Sequence, residues 1–340
     1  MAIIRQTDIA KILKVSRVTV SKALKGDQDI SIQMRRKVRR TADKLGYIPH
    51  YHASVLQSRK TKTIGVVVPD VSNSFFSYAI HGIMDVAQRS GYHIILTVSR
   101  ENAALEKENI YTLLSMRTDG LLVAITKETK DKGIFTTVRR TGTPLVFFDR
   151  ALEHVPFSSV GIDDRAESKK LVEHLVSCGY RKIAHLSGSA LIAVGRDRCQ
   201  GYLDALKRHR LAVHPEWIVE GGFERGDGYS GFKKLWSQPE KPEAIFMAND
   251  HIALGAYDAM REMGIRVPEH VGVAAMGHEE FAELMSPALT IIHAAPDLLG
   301  QKAMELLLCE IQKTGSKRQK IMLPAELQVK ASTRCLKSPD

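Results

Sequence analysis

Long apolar runs and clustered cysteines are what this 340-residue chain lacks, and no leader segment is expected of it. No stretch approaches the ~18 to 20 uninterrupted apolar residues of a membrane span, and no apolar core with a small-residue cleavage site follows the first residues. A membrane partner is therefore not expected, and the cytoplasm is the expected compartment. Cys178, Cys199, Cys309 and Cys335 lie far apart with no CxxC pair, which argues against a disulfide framework or a zinc ribbon. Signatures of catalysis are missing too. There is no GxGxxG after the first apolar run, no Walker lysine loop, no GxSxG elbow and no HExxH. The glycine-rich run from Gly221 to Gly228 fits none of the phosphate cradles. Asp163-Asp164 and Glu279-Glu280 are adjacent pairs whose side chains point in different directions. We expect no catalytic residue, no cofactor and no metal site, and hence a protein that is not an enzyme.

What is present is a chain of 44% hydrophobic residues, too apolar for disorder and long enough for two or three folded units. Its net charge of +11 is unevenly placed. Residues 1–62 hold 15 Lys and Arg against 4 Asp and Glu, while residues 63–340 hold 34 of each sign. The whole excess thus belongs to the first fifth of the chain, the electrostatic footprint of a segment that meets a polyanion. Nucleic acid is the expected partner. A membrane surface would need one amphipathic helix with large apolar residues opposite its cations, and this segment is cut into short pieces.

Those pieces have legible ends. Ile9, Ala10 and Leu13 recur at helical spacing, Ser16 can cap a second helix through Leu24, and Gly26-Asp27 ends it. Ser31 can cap a third helix reaching Leu45, with Met34, Val38, Ala42 and Leu45 as its buried edge and Gly46 as its stop. Three short helices with a tight turn between the first two describe a helix-turn-helix unit over residues 1–46. A recognition helix enters the major groove by its N-terminal end, which directs Arg17, Val18 and Lys22 at base edges. Arg17 and Lys22 suit guanine O6 and N7, and Val18 offers an apolar contact. Ser16, Thr19, Ser21 and Ser31 are short donors suited to phosphate oxygens.

The runs Thr7-Asp8-Ile9-Ala10, Val15 to Leu24 (VSRVTVSKAL) and Gly46-Tyr47-Ile48-Pro49 resemble the headpiece of the lactose-repressor/galactose-repressor (LacI/GalR) family of bacterial transcription regulators. By itself, the polar segment 47–62 reads as a linker. The resemblance implies a hinge helix there, with Ala53 at a small hinge position and Leu56 wedged into the minor groove of operator DNA. His50 and His52 could share a metal, but no carboxylate or third histidine follows nearby, so backbone or phosphate contact is the reading taken.

From residue 63 the pattern changes to short apolar strands alternating with helices. Strands are expected at Ile64–Val68, His93–Val98, Gly120–Ile125, Pro144–Phe148, Lys182–Leu186, Trp217–Glu220, Ala244–Met247 and Val271–Ala275. Near-continuous apolar strands between helices indicate parallel sheets covered on both faces, and their number suits two α/β lobes. The resemblance implies a periplasmic-binding-protein-like ligand-binding and dimerisation body over 63–340. Lobe one would hold 63–162 and 294–322, and lobe two 163–291 and 323–337.

Ligands of open α/β sheets bind beyond the carboxyl ends of strands. Those ends carry Asn73 to Phe76, Asp149-Arg150, Asp163-Asp164, Arg196 to Arg198, Phe223, Asn249-Asp250 and His278 to Glu280, a mixture suited to a polyol. Asp250 reads as the N-cap of the helix near Ile252, and Asp163 can cap the helix after it. By resemblance, Asp149, Arg198, Phe223, Asn249 and Glu279 fall on effector-contacting positions, with Phe75 near the pocket mouth. Ile192 stands where the purine-responsive branch has an arginine, which argues against a purine; a sugar or sugar acid is the expected effector. The resemblance further implies a dimer on pseudo-palindromic double-stranded operator DNA, since no terminal leucine heptad follows the last expected segment.

Overall fold

The computed structural model describes residues 4–48, 60–312 and 317–334. The chain divides into two compact units, 1–61 and 62–340.

In the first unit, α1 (Gln6–Leu13), α2 (Arg17–Lys25) and α3 (Ile32–Leu45) form where caps and apolar spacing place them. Ser16 Oγ accepts from the Thr19 amide at 3.0 Å, and Ser31 Oγ accepts from the Met34 amide at 3.3 Å. These bonds satisfy amides that a helix start leaves without partners. Gly26 and Gly46 end α2 and α3 in the left-handed conformation. Ile9, Ala10, Val20, Ala23, Val38 and Ala42 meet in a small core, edged by Leu13, Leu24, Met34 and Leu45. The expected hinge residues Ala53 and Leu56, and the pair His50 and His52, lie outside the described residues.

The second unit has two six-stranded sheets. One runs β11-β5-β4-β3-β1-β2, built from β1 (Thr63–Val68), β2 (His93–Val98), β3 (Gly120–Val123), β4 (Leu145–Phe148), β5 (Ser158–Ile162) and β11 (Lys320–Leu323). The other runs β12-β10-β9-β8-β6-β7. It is built from β6 (Ile183–Ser187), β7 (Ile218–Glu220), β8 (Ala244–Met247), β9 (Gly272–Gly277), β10 (Thr290–His293) and β12 (Glu326–Gln328). Every pairing is parallel except that of β10 with β12. The chain passes between the sheets after β5, after β10 and after β11.

Both faces of each sheet are covered, which is why β1, β3, β4 and β8 are buried along their whole length. In lobe one, α4 (Ser74–Arg89) and α12 (Pro296–Gln312) pack on one face, and α5 (Ala103–Ser115) and α6 (Gly133–Thr141) on the other. In lobe two, α9 (Arg225–Trp236) and α10 (Asp250–Glu262) oppose α7 (Asp164–Ser177) and α8 (Ala193–Arg208), and the short α11 (Glu279–Leu284) follows β9. Wide cysteine spacing does not keep Cys178 unpaired: it is buried and disulfide-bonded, whereas Cys199 and Cys309 are free thiols. Among the described residues, no helix is long and apolar enough to cross a membrane.

Candidate functional site

In the first unit, α2 turns Val20 and Ala23 into the core, which leaves Arg17 and Val18 outside. Val18 is 65% exposed, and Ile12, Ile32 and Ile48 of the same unit are exposed as well. Thr19, Ser21 and Lys22 are half-buried, and Ser16 and Ser31 are exposed. Each serine oxygen accepts a cap bond, and that of Ser16 also lies 2.8 Å from Thr19 Oγ1. Lys22 differs from Arg17 in being held: its Nζ donates to Asp29 Oδ2 at 2.5 Å and lies 3.7 Å from Asp27. The hydrogen bond with Asp29 is the main reason the Lys22 pKa is raised and the Asp29 pKa lowered.

In the second unit, the strand ends of both lobes line a cavity. Phe75, Asp149, Arg198, Phe223 and Asn249 all line it, with Asn73, Phe76, Arg150 and Ile192. A further space continues from it, bounded by Asp70, Glu101 and Lys127 as well as by Asn73, Phe76 and Arg150.

The charged groups here are arranged in pairs. Arg198, on α8, donates from Nε to Asp164 Oδ1 at 2.7 Å and from Nη1 to the Ala248 carbonyl at 2.5 Å. Arg150 donates to Glu101 Oε1 at 2.6 Å, lies 3.7 Å from Asp149 and sits over the Phe76 ring at 5.4 Å. Asp149 ends β4 in the left-handed region, with φ 59°. Burial pushes its pKa up to about 6, against the opposing pull of Arg150. Burial raises Asp164 as well, and Arg198 opposes it. The cavity wall thus carries two arginines, Arg150 and Arg198, and each already faces an acid.

Two aromatic walls complete the space. Phe75 meets Phe76 edge to face at 5.6 Å. Phe223 lies against Gly188 so closely that a β-carbon there would come within 2.1 Å of its ring. Asn249 is held at both ends of its amide: Oδ1 accepts from the Ile252 amide at 2.9 Å, and Nδ2 donates to the Phe223 carbonyl at 3.0 Å.

Two expectations change. Asn249, not Asp250, is the N-cap of α10; Asp250 is buried in the first turn, where Oδ2 accepts from the His278 amide at 3.0 Å. Glu279 does not line the cavity. β9 runs to Gly277, α11 begins at Glu279, and that side chain turns out to solvent while His278 takes the place in the wall. Nδ1 of His278 is buried without a hydrogen-bond partner among the described residues. Asp163 caps α7, accepting from the Ala166 amide at 3.0 Å. The sequence reading also missed Val194, Met276, Ala294 and Pro296 in the wall. Met276 could have been found from the full length of β9; Ala294 and Pro296 follow β10, which is only four residues long with two apolar residues.

Comparison with known proteins agrees with this division. Residues 7–50 match the model of bacterial regulatory proteins of the lacI family, and residues 172–333 match a periplasmic binding protein-like domain. The ribose operon repressor of Haemophilus influenzae is 31% identical over 335 residues, covering 97% of this chain and 98% of its own. The HTH-type transcriptional repressor PurR of Pasteurella multocida is 30% identical, covering 96% and 98%. Among solved structures, the lac repressor dimer bound to operator and the anti-inducer ONPF is similar with a TM-score of 0.87 at 26% identity, covering 98% of this chain and 100% of its own. The regulator CelR in complex with cellobiose gives a TM-score of 0.71 at 26% identity, covering 97% and 99%.

Proposed function

Because the chain belongs to the lacI family of bacterial regulatory proteins, we propose that it represses transcription as a dimer on a pseudo-palindromic operator, controlled by a small uncharged polyol in the cleft between the lobes. One observation carries the DNA half of this reading. Arg17 and Val18 project from a capped second helix in the unit that holds nearly all of the excess positive charge. A base-reading face needs such exposure, and phosphate affinity needs such charge. Leu56, at the centre of the site, would serve as a minor-groove wedge.

The charge pairing of the cavity supports the choice of effector. An anionic sugar acid would find no arginine without an acid beside it. A neutral polyol can donate hydroxyls to Asp149 and to Nδ1 of His278, and can lay its apolar face on Phe75 or Phe223. The effector acts by binding one lobe arrangement more tightly than the other.

For the dimer, the support is unpartnered apolar surface. Leu284 is 81% exposed beside Leu254, Tyr257, Phe281 and Met285, and Met84 and Leu96 are exposed on lobe one. Deleting residues 1–62 tests the assignment. The remaining body is expected to bind polyol and to lose all affinity for duplex DNA. Specific operator binding by that truncation would defeat it.

A further inference from the structure

We propose that Asp29 is a specificity-determining residue, which together with Lys22 reads one G·C pair in each half of the DNA site. The inference rests on the reading of α2 as the base-reading helix. Lys22 lies one turn beyond Val18 on α2, so its ammonium and the Asp29 carboxylate bonded to it at 2.5 Å border the base-facing surface.

Asp29 is put there by its backbone. Gly26 leaves α2 in the left-handed conformation with φ 79°. Asp27 Oδ1 then accepts from the Asp29 amide at 3.0 Å, the Ile30 amide donates to the Asp27 carbonyl at 3.2 Å, and Arg35 Nη1 donates to the Gly26 carbonyl at 3.1 Å. None of these bonds uses the Asp29 side chain. Its carboxylate, 71% exposed, is left for Lys22.

Neither stability nor affinity accounts for such a pair. An exposed ion pair contributes little to folding, and carboxylates beside the reading helix weaken attraction to phosphates. Base recognition does account for it. An ammonium has three donors, so one spent on Asp29 leaves two. In the major groove guanine shows two acceptors, N7 and O6, and its cytosine partner shows the N4 donor. Lys22 donating to guanine and Asp29 accepting from cytosine match that edge. In an A·T pair the carboxylate would face the O4 acceptor and methyl group of thymine.

The test uses the full-length chain and a pool of duplexes with a randomised core, selected by binding and then sequenced. The wild type is expected to enrich one G·C position per half-site that becomes degenerate with Asp29→Ala and with Lys22→Ala, all other positions being kept. At that position preference for C over T is expected to fall from about tenfold or more to under about threefold. Asp29→Ala is also expected to bind random duplex several-fold more tightly. Asp29→Asn, which keeps the shape and removes the charge, should relax the same position even if the alanine variant folds poorly. Identical preferences at every position in the wild type, Asp29→Ala and Asp29→Asn would overturn the proposal. A wild type that enriches no motif would sink the DNA-binding reading itself, and this inference with it.

Discussion

Tyr78, on α4 of lobe one, stacks on His278 of lobe two with ring centroids 4.1 Å apart and planes 14° from parallel. The Tyr78 hydroxyl donates to the Glu280 carboxylate, and Ser74 Oγ lies 3.3 Å from His251 Nε2. These contacts hold the lobes together at one side of the cleft, and His278 is at once latch and cavity wall.

Tyr78→Ala should open the clamshell. A stacked aromatic pair is worth about 0.5 to 1.5 kcal/mol, so the open-to-closed ratio should rise roughly two- to tenfold. Small-angle scattering of the ligand-free variant should give a larger radius of gyration. An unchanged radius would remove the latch from the mechanism.

Asp149 should make effector affinity depend on pH. With a pKa of about 6, it is a neutral acid below that value and an acceptor-only carboxylate above it. Arg150, Arg198, Asp164 and Glu101 are the charged groups that act on it. Affinity for the best polyol from a thermal-shift screen is expected to rise between pH 5 and 7, both values being about one unit either side. Asp149→Asn should flatten the profile and weaken binding; a flat wild-type profile would count against Asp149 as the acceptor.

Glu106 is buried on α5, where Oε2 accepts from the Thr126 amide at 2.7 Å. Burial raises its pKa from 4.5 to about 7. The folded state thus holds the proton more tightly, and this contribution to stability is complete below pH 4.5 and lost as pH rises through 7. Glu106→Gln is expected to match the wild type in acid and to exceed it increasingly towards neutral pH, by up to about 3 kcal/mol. Denaturation at several pH values would reveal a constant difference if this account were wrong.

Arg198→Ala should abolish the effector response and also destabilise lobe two, because it strands the buried Asp164 carboxylate. Breaking a buried pair costs about 3 to 5 kcal/mol. Removing Asp164 as well should restore part of that loss. Additive losses in the double variant would show that the two side chains do not act as a pair.

Leu284→Glu is expected to convert a dimer to a monomer in sedimentation velocity, since it sets a charge in the middle of exposed apolar surface. A variant that sediments as the wild type does would place the dimer contact elsewhere.

Much of the fold was legible because its signals are local. Ser16, Ser31, Gly26 and Gly46 mark helix ends by bonds to residues at most a few positions away. The strands β1, β4 and β8 announce themselves as apolar runs because both faces are covered. What stayed hidden has long-range causes. α9 carries three glycines, a poor helix sequence. Gly228 is there because a β-carbon would come within 2.0 Å of the Ile252 carbonyl of α10. The strands β11 and β12 lie at sheet edges, half exposed and with at most three apolar residues in a row.

The chain by itself determined the division of charge between head and body, the three short helices and the family, because each depends on residues close together in sequence. Only the tertiary structure decided which strand-end side chains share the cavity. Three passages between the sheets bring Asp149, Arg198 and His278 together and turn Glu279 away. Burial rather than local sequence sets the protonation of Asp149 among them.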